Sequence, residues 1–146
     1  GIETVHLRMP RHCANTLALA QHLAQHPAVA WVNYTGLPDH PHHARADRYL
    51  SGGYGAVFGF GVRGGYAAAK QFIAGVKICS HLANVGDART LVIHPASTTH
   101  QQLDAAARAA CGIGDDFIRV AVGIEDPADL IADFDQALRR AGDRAQ

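Results

Sequence analysis

Arg119 is the residue whose surroundings most demand a chemical explanation. It stands in the run Phe117-Ile118-Arg119-Val120-Ala121-Val122, whose β-branched and aromatic residues predict a strand. Alternation puts Arg119 on one face with Phe117 and Ala121, while Ile118, Val120 and Val122 point the other way. A guanidinium in the middle of an otherwise apolar strand is expensive to desolvate unless something pairs with it. Its planar fork of donors matches a carboxylate held by two parallel hydrogen bonds. An internal Asp or Glu partner, or a place on a solvated face, accounts for the same pattern structurally.

Other reactive residue types point less far. The ten histidines include the dense group His40, His42 and His43 in a proline-stiffened loop. His-x-His-His with no carboxylate or cysteine beside it is a weak ligand set, and it reads as a solvated loop rather than a metal site. His81, His94 and His100 show no order that would make a Ser/His/Asp triad. The glycine-rich stretches 52–61 and 62–66 lack both GxxxxGK and a GxGxxG that follows a strand and opens a helix. Gly59 and Gly61 fall instead inside a predicted strand, on one face, which suggests that something packs very close to that face. Lys70 follows three alanines on a surface-like helix and Lys77 stands at a helix–strand junction. Neither context offers the desolvated amine that Schiff-base chemistry needs. Cys13, Cys79 and Cys111 are far apart and form no CxxC pair; they read as free, buried or half-buried thiols of a cytoplasmic protein.

The elements that hold these residues follow from periodicity and punctuation. A helix is expected from near Thr4, or from Pro10, to about Gln25, burying Leu17, Ala20 and Leu23 with Cys13 before them. Pro10 either opens it or kinks a longer one. Strands are expected at 29–34 and 56–62, the latter with Phe58, Phe60 and Val62 opposite its glycines. Between them come a Gly/Pro loop, a short helix near 44–50 and a turn. A helix at 66–76 turns Phe72, Ile73 and Val76 inward; strand pieces follow at 78–80 and 91–93. Thr99 to Gln102 has the spacing of a capping box, which predicts a helix from there to about Ala110. After the strand 117–122, Asp126 caps a last helix with Pro127 at its first position and Leu130, Ile131, Phe134 and Leu138 as its stripe. The order predicts an α+β fold: one domain with a small sheet of about four strands, covered by helices on one face.

Composition narrows the partners. A chain of 146 residues is one ordinary domain, and 13 Lys+Arg against 13 Asp+Glu argue against a nucleic-acid or anionic-membrane surface. Mean hydropathy is −0.04, and no apolar run approaches the ~18 residues a membrane span needs. The opening GIETVHLRMP lacks the basic-then-apolar order of a signal peptide. Only two of the 13 cationic residues are lysines, Lys70 and Lys77.

Four stretches carry a family resemblance: GIETVHLRM at the start, WVNYTGLPDHPHH, SHLANVGDARTLVIHPASTTHQQL at 80–103, and FIRVAVGIEDPADLIADFDQAL. Together they resemble the C-terminal part of the O-acetylhomoserine sulfhydrylases (O-acetylhomoserine aminocarboxypropyltransferases). These belong to the Cys/Met-metabolism group of fold-type I enzymes that use pyridoxal phosphate (PLP). The IRxxVGxED end is shared across that group, whereas HLANVGDARTLVIHPASTTH discriminates within it. The resemblance implies that Arg119 binds the α-carboxylate of the amino-acid substrate and that Asn84 lies near the same carboxylate. It implies that 1–146 is the small C-terminal domain of a PLP-dependent transferase, and that the large N-terminal PLP domain is its partner. It further implies a homotetramer that converts O-acetylhomoserine and sulfide or a thiol into homocysteine or methionine-type products and acetate. The lysine, the pyridinium-pairing aspartate, the stacking tyrosine and the phosphate ligands of such an enzyme belong to the other domain, and no residue here matches them. The chain alone is therefore expected to be inactive, with no catalytic residue and no bound cofactor or metal. Two alternatives stand beside this: a free-standing, non-catalytic domain that binds carboxylates or docks on a partner, and the same domain of a cystathionine γ-synthase or γ-lyase. Titrated with PLP, the chain by itself should develop no visible band of lysine-bound cofactor; a stable, stoichiometric band would overturn that expectation.

Overall fold

The computed structural model describes residues 1–143. After a 3-10 turn at Ile2–Thr4, the elements are α1 (Val5–Ala24), β1 (Val29–Asn33), α2 (His43–Tyr49), β2 (Val57–Val62) and α3 (Gly65–Gly75). They continue with β3 (Ser80–His81), β4 (Leu91–Ile93), a 3-10 turn at Pro95–Ser97, α4 (Ala105–Ala110), β5 (Phe117–Ala121) and α5 (Pro127–Asp143). The fold is mixed α/β around one sheet of five strands in the order β1-β2-β5-β4-β3. The small sheet expected from the sequence is present, with five strands where about four were expected: β3, only two residues long, forms a parallel edge pair with β4, while every other pairing is antiparallel.

One sheet face builds the core. Phe58, Phe60, Ile118 and Val120 meet Leu19 and Leu23 of α1, Phe72 of α3, and Leu130, Phe134 and Leu138 of α5. The rings of Phe60, Phe72 and Phe134 lie 5.2 to 6.1 Å apart, edge-on or tilted as their quadrupoles prefer, and so join one strand to two helices. Gly75 has no Cβ, and one placed there would come within 3.1 Å of the Ala137 Cα, so α3 and α5 approach nearly backbone to backbone.

Of the two starts expected for the first helix the structure takes the earlier one, while its buried stripe, the helix after Thr99 and the burial of Cys111 need adjusting. α1 is one continuous helix with Pro10 inside it. The proline lacks the N–H that would bond the His6 carbonyl, and Arg8 braces the same turns by donating to the Gly1 carbonyl and the Thr4 hydroxyl at 2.8 and 3.1 Å. The buried stripe of α1 is His12, Asn15, Thr16, Leu19, Ala20 and Leu23, with Leu17 and Cys13 only half-buried. Periodicity judged from apolar residues alone misplaced the stripe because half of it is polar.

The helix expected from Thr99 begins only at Ala105. Asp104 caps it, accepting from the Ala107 N–H at 2.8 Å, and its six residues AAARAA are strong helix formers. Thr99 bonds His100 instead, and the segment before Asp104 is a series of turns. Cys111, at the C-cap of this short surface helix, is exposed rather than buried. The last helix matches its expectation: Asp126 accepts from the Ala128 N–H at 2.8 Å ahead of Pro127.

Asp133 has no counterpart among the sequence expectations. This carboxylate is only 4 % exposed and points from α5 into the turn after α3, where the N–H groups of Lys77, Ile78 and Cys79 donate to it at 2.8, 2.9 and 3.3 Å. Gln136 adds a fourth bond at 3.0 Å. Asp133→Ala should destabilise the fold by about 3 kcal/mol, since it strands several buried donors at once; urea denaturation measures it, and a loss below about 1 kcal/mol would show that water replaces the carboxylate.

Candidate functional site

β5 is the central strand, so both of its neighbours shape the surroundings of Arg119. Register places Arg119 opposite Gly59 of β2 on one side and Ile93 of β4 on the other, with Asn33 of β1 beyond Gly59. These four residues form one row on the face away from the helices. The Arg119 residue is half-buried, and among the described residues its guanidinium has no carboxylate in ion-pair range and no hydrogen-bond partner. An internal ion pair, one of the two structural explanations for this arginine, is therefore not what the structure shows.

The two glycines of β2 explain how the face is furnished. A Cβ on Gly59 would strike the Phe117 ring, and one on Gly61 would strike Trp31 and the Asp116 carboxylate. The close packing expected over this face is thus supplied by aromatic side chains. Trp31 stacks on Phe117 with centroids 5.7 Å apart and planes at 25°. Its indole N–H donates to Asp116 Oδ2 at 2.7 Å.

Asn84, the second residue singled out, lies elsewhere. The chain leaves β3 at His81, level with Val92 and Val120 and one step short of the row that holds Arg119. Asn84 follows in the largely exposed loop 82–89, where its Oδ1 accepts from the Val85 N–H at 2.8 Å. Since β3 is two strands from β5, the base of the loop stands about 10 Å across the sheet from Arg119. No hydrogen bond joins the two residues among those described. The loop is tied at three points: Arg8 donates to the Gly86 carbonyl at 2.9 Å, Ile124 to the Ala88 carbonyl at 2.9 Å, and Thr90 to the Glu125 carboxylate through N–H and hydroxyl.

The remaining candidates resolve into local structure. His40 bonds Asn33 Oδ1 at 2.8 Å and accepts from the His42 N–H, while His43 donates to the Thr35 carbonyl at 2.7 Å. Burial and the two neighbouring imidazoles hold the His40 pKa below the ordinary value. No three His, Cys, Asp or Glu residues converge on a possible metal position among the described residues. Lys70 is exposed, its ammonium 5.7 Å from the Tyr66 ring centroid, and Lys77 is exposed in the turn after α3. Neither offers the desolvated amine that would fit the aldehyde of PLP. Cys79 is buried, and burial together with the Asp133 carboxylate pushes its thiol pKa strongly upward.

Several buried polar residues went unnoticed in the sequence. His12 donates through Nδ1 to the Val122 carbonyl at 2.6 Å, Asn15 donates to the Gly123 and Glu125 carbonyls at 3.1 and 2.8 Å, and the Thr90 hydroxyl accepts from the Gly123 N–H at 2.8 Å. Their only sequence signal is polarity at helix-stripe and strand-end positions beside the VGIED segment they receive.

The geometry defines a mixed α/β fold that presents Arg119, unpaired among the described residues, on a sheet face cleared by glycines. The chain belongs to the Cys/Met metabolism PLP-dependent enzyme family, whose model matches residues 1–139. It is 56% identical over 138 residues to O-acetyl-L-homoserine sulfhydrylase 1 of Thermus thermophilus, covering 94% of this chain and 33% of that protein. It is 52% identical over 141 residues to homocysteine synthase of Schizosaccharomyces pombe, covering 97% and 33%. Among solved structures, the cystathionine γ-lyase CalE6 of Micromonospora echinospora superposes with a TM-score of 0.88 at 39% identity, covering 95% of this chain and 36% of that one. The chain spans about a third of the length of these relatives. None of its helices is long and apolar enough to cross a membrane, among the described residues.

His94, which follows Ile93 directly, supplies a pH test of this end of the sheet. It is buried, its Nε2–H donates to the Asp115 carbonyl and its Nδ1 accepts from Ser97, both at 2.9 Å. Burial lowers its pKa from the ordinary 6.5, with the Asp115 contacts opposing. A depressed histidine pKa means that the unfolded chain binds the proton first, so stability falls as pH drops through 6.5 toward the folded value. Urea denaturation between pH 7 and 5 should show that decline, and His94→Gln, which keeps a donor but does not titrate, should flatten it; an unchanged slope would exclude His94 as the source.

Proposed function

We propose that this chain is the C-terminal, substrate-carboxylate-binding domain of an O-acetylhomoserine sulfhydrylase. The whole enzyme exchanges the acetate of O-acetylhomoserine for sulfide or a thiol, yielding homocysteine or a methionine-type product. The observation that carries the reading is the unpaired guanidinium of Arg119, held in mid-sheet on an open face where a carboxylate can complete its fork. Sulfhydrylase and homocysteine synthase relatives at 56% and 52% identity support it.

In this reading PLP is held by the N-terminal domain and supplies an electron sink there. The contribution of this chain is placement. A carboxylate gripped at two points loses rotation as well as translation, so the reacting end of the amino acid is delivered in one orientation. Asn84, on its tethered loop, approaches the same carboxylate when the whole enzyme is assembled. A homotetramer in the cytoplasm completes the proposal. The likeness to a γ-lyase favours a second reading, the same domain in a cystathionine-cleaving enzyme; comparing turnover of O-acetylhomoserine plus sulfide with cleavage of cystathionine separates the two.

In the full-length enzyme, Arg119→Lys should raise the KM for O-acetylhomoserine at least about tenfold and leave that for sulfide nearly unchanged, because an ammonium cannot reproduce the two-point grip. Equal effects on both substrates would argue against the carboxylate role.

A further inference from the structure

An arginine without an ion-pair partner has more freedom than a carboxylate-binding role tolerates. Its stem can lie flat along any apolar surface beside it, and each alternative rotamer subtracts from the population ready to bind. The neighbours of Arg119 on its own face are Phe117 and Ala121 along β5, Ile93 across on β4, and Gly59 across on β2. Gly59 contributes no side chain, so a gap the size of a side chain lies directly beside Arg119.

That gap is occupied. The Phe117 ring leans from β5 across to β2 and sits over Gly59, close enough that a Cβ there would collide with it. The ring is backed in turn by Trp31, stacked at 5.7 Å, and Trp31 is fixed by its 2.7 Å bond to Asp116. This bond also engages the Asp116 carboxylate, the acidic group nearest to Arg119 in sequence, just ahead of β5.

We infer that Phe117 is a positioning residue for the substrate carboxylate: its ring, seated over Gly59 and buttressed by Trp31, closes the hollow into which the Arg119 side chain would otherwise fold. The guanidinium is thereby left standing off the sheet with its fork open. This role rests on the carboxylate reading of Arg119 and adds to it the reason for a Gly59–Phe117–Trp31 arrangement that the hydrophobic core does not require.

The test is steady-state kinetics of the full-length enzyme with Phe117→Ala, Phe117→Leu and Phe117→Tyr, each also in the Arg119→Lys background. Phe117→Ala should raise the KM for O-acetylhomoserine about tenfold, with kcat and the KM for sulfide within about twofold of the parent. Phe117→Tyr keeps the ring and should restore the parent value. In the Arg119→Lys background, Phe117→Ala should add almost nothing, because the group it positions has already been replaced. Should Phe117→Ala fail to fold, Phe117→Leu keeps apolar volume without the reach of the ring and should raise the same KM about threefold. A KM effect that is absent, that is shared equally with sulfide, or that persists undiminished in the Arg119→Lys background would overturn the positioning role alone. An Arg119→Lys enzyme with unaltered KM for O-acetylhomoserine would overturn the carboxylate reading and, with it, this inference.

Discussion

Where the chain leaves β5, four consecutive residues, Val122 to Glu125, run through a buried polar collar. Their carbonyls and N–H groups end a strand without entering a helix; the Val122 and Ile124 N–H groups bond the Ala56 and Ala88 carbonyls, and the rest of the segment finds partners among side chains. His12 and Asn15 of α1 take the carbonyls, Thr90 takes the Gly123 N–H, and the Glu125 carboxylate closes back on Thr90. Through these contacts the central strand, the longest helix, the start of β4 and the beginning of α5 are fixed to one another. The register of β5, and with it the row in which Arg119 stands, depends on that collar. A hydrogen-bonded polar junction inside a core admits fewer alternatives than apolar packing, because any shift leaves a group unpaired.

Apolar contacts do the complementary work. The rings of Phe60, Phe72 and Phe134 seal the helix-covered face, and the Gly75–Ala137 contact lets α3 and α5 settle close enough to share it. The other face is built differently. There the large side chains, Trp31 and Phe117, lie along the sheet over glycines rather than standing away from it. A face arranged in this way keeps its large side chains close to the sheet beside the half-buried Arg119.

Legibility in the sequence followed the same division. Elements whose burial is apolar and periodic were readable: the strands around Phe58 and Ile118, the Phe72 helix, and the capped helix at Asp126. Arg119 stood out as well, because a charge in an apolar run asks for a partner, although the sequence alone left an internal pair or a solvated face open. The glycine pair announced a close approach, although not the identity of what approaches. The stripe of α1 was misread because His12, Asn15 and Thr16 are buried for their hydrogen bonds, and hydropathy cannot distinguish that from exposure. Asp133 was invisible for a related reason, since its partners are the backbone N–H groups of a turn more than 50 positions away. The capping box at Thr99 lost to Asp104, which has the better helix-forming run behind it.

The strand order has a consequence for how the molecule comes into being. β5 occupies the middle of the sheet but is the last strand to be made, and α5, which seals the core, follows it. Until residue 121 has emerged, the sheet exists at most as two separate two-stranded pieces, β1 with β2 and β3 with β4, and pieces of that size are marginal in water. Insertion of one late strand closes two ladders at once and brings the Val122–Glu125 collar into place in the same step. Synthesis in chain order therefore leaves this sheet without a finished core until β5 and α5 have been made, and the fold is gained, or lost, largely as one unit.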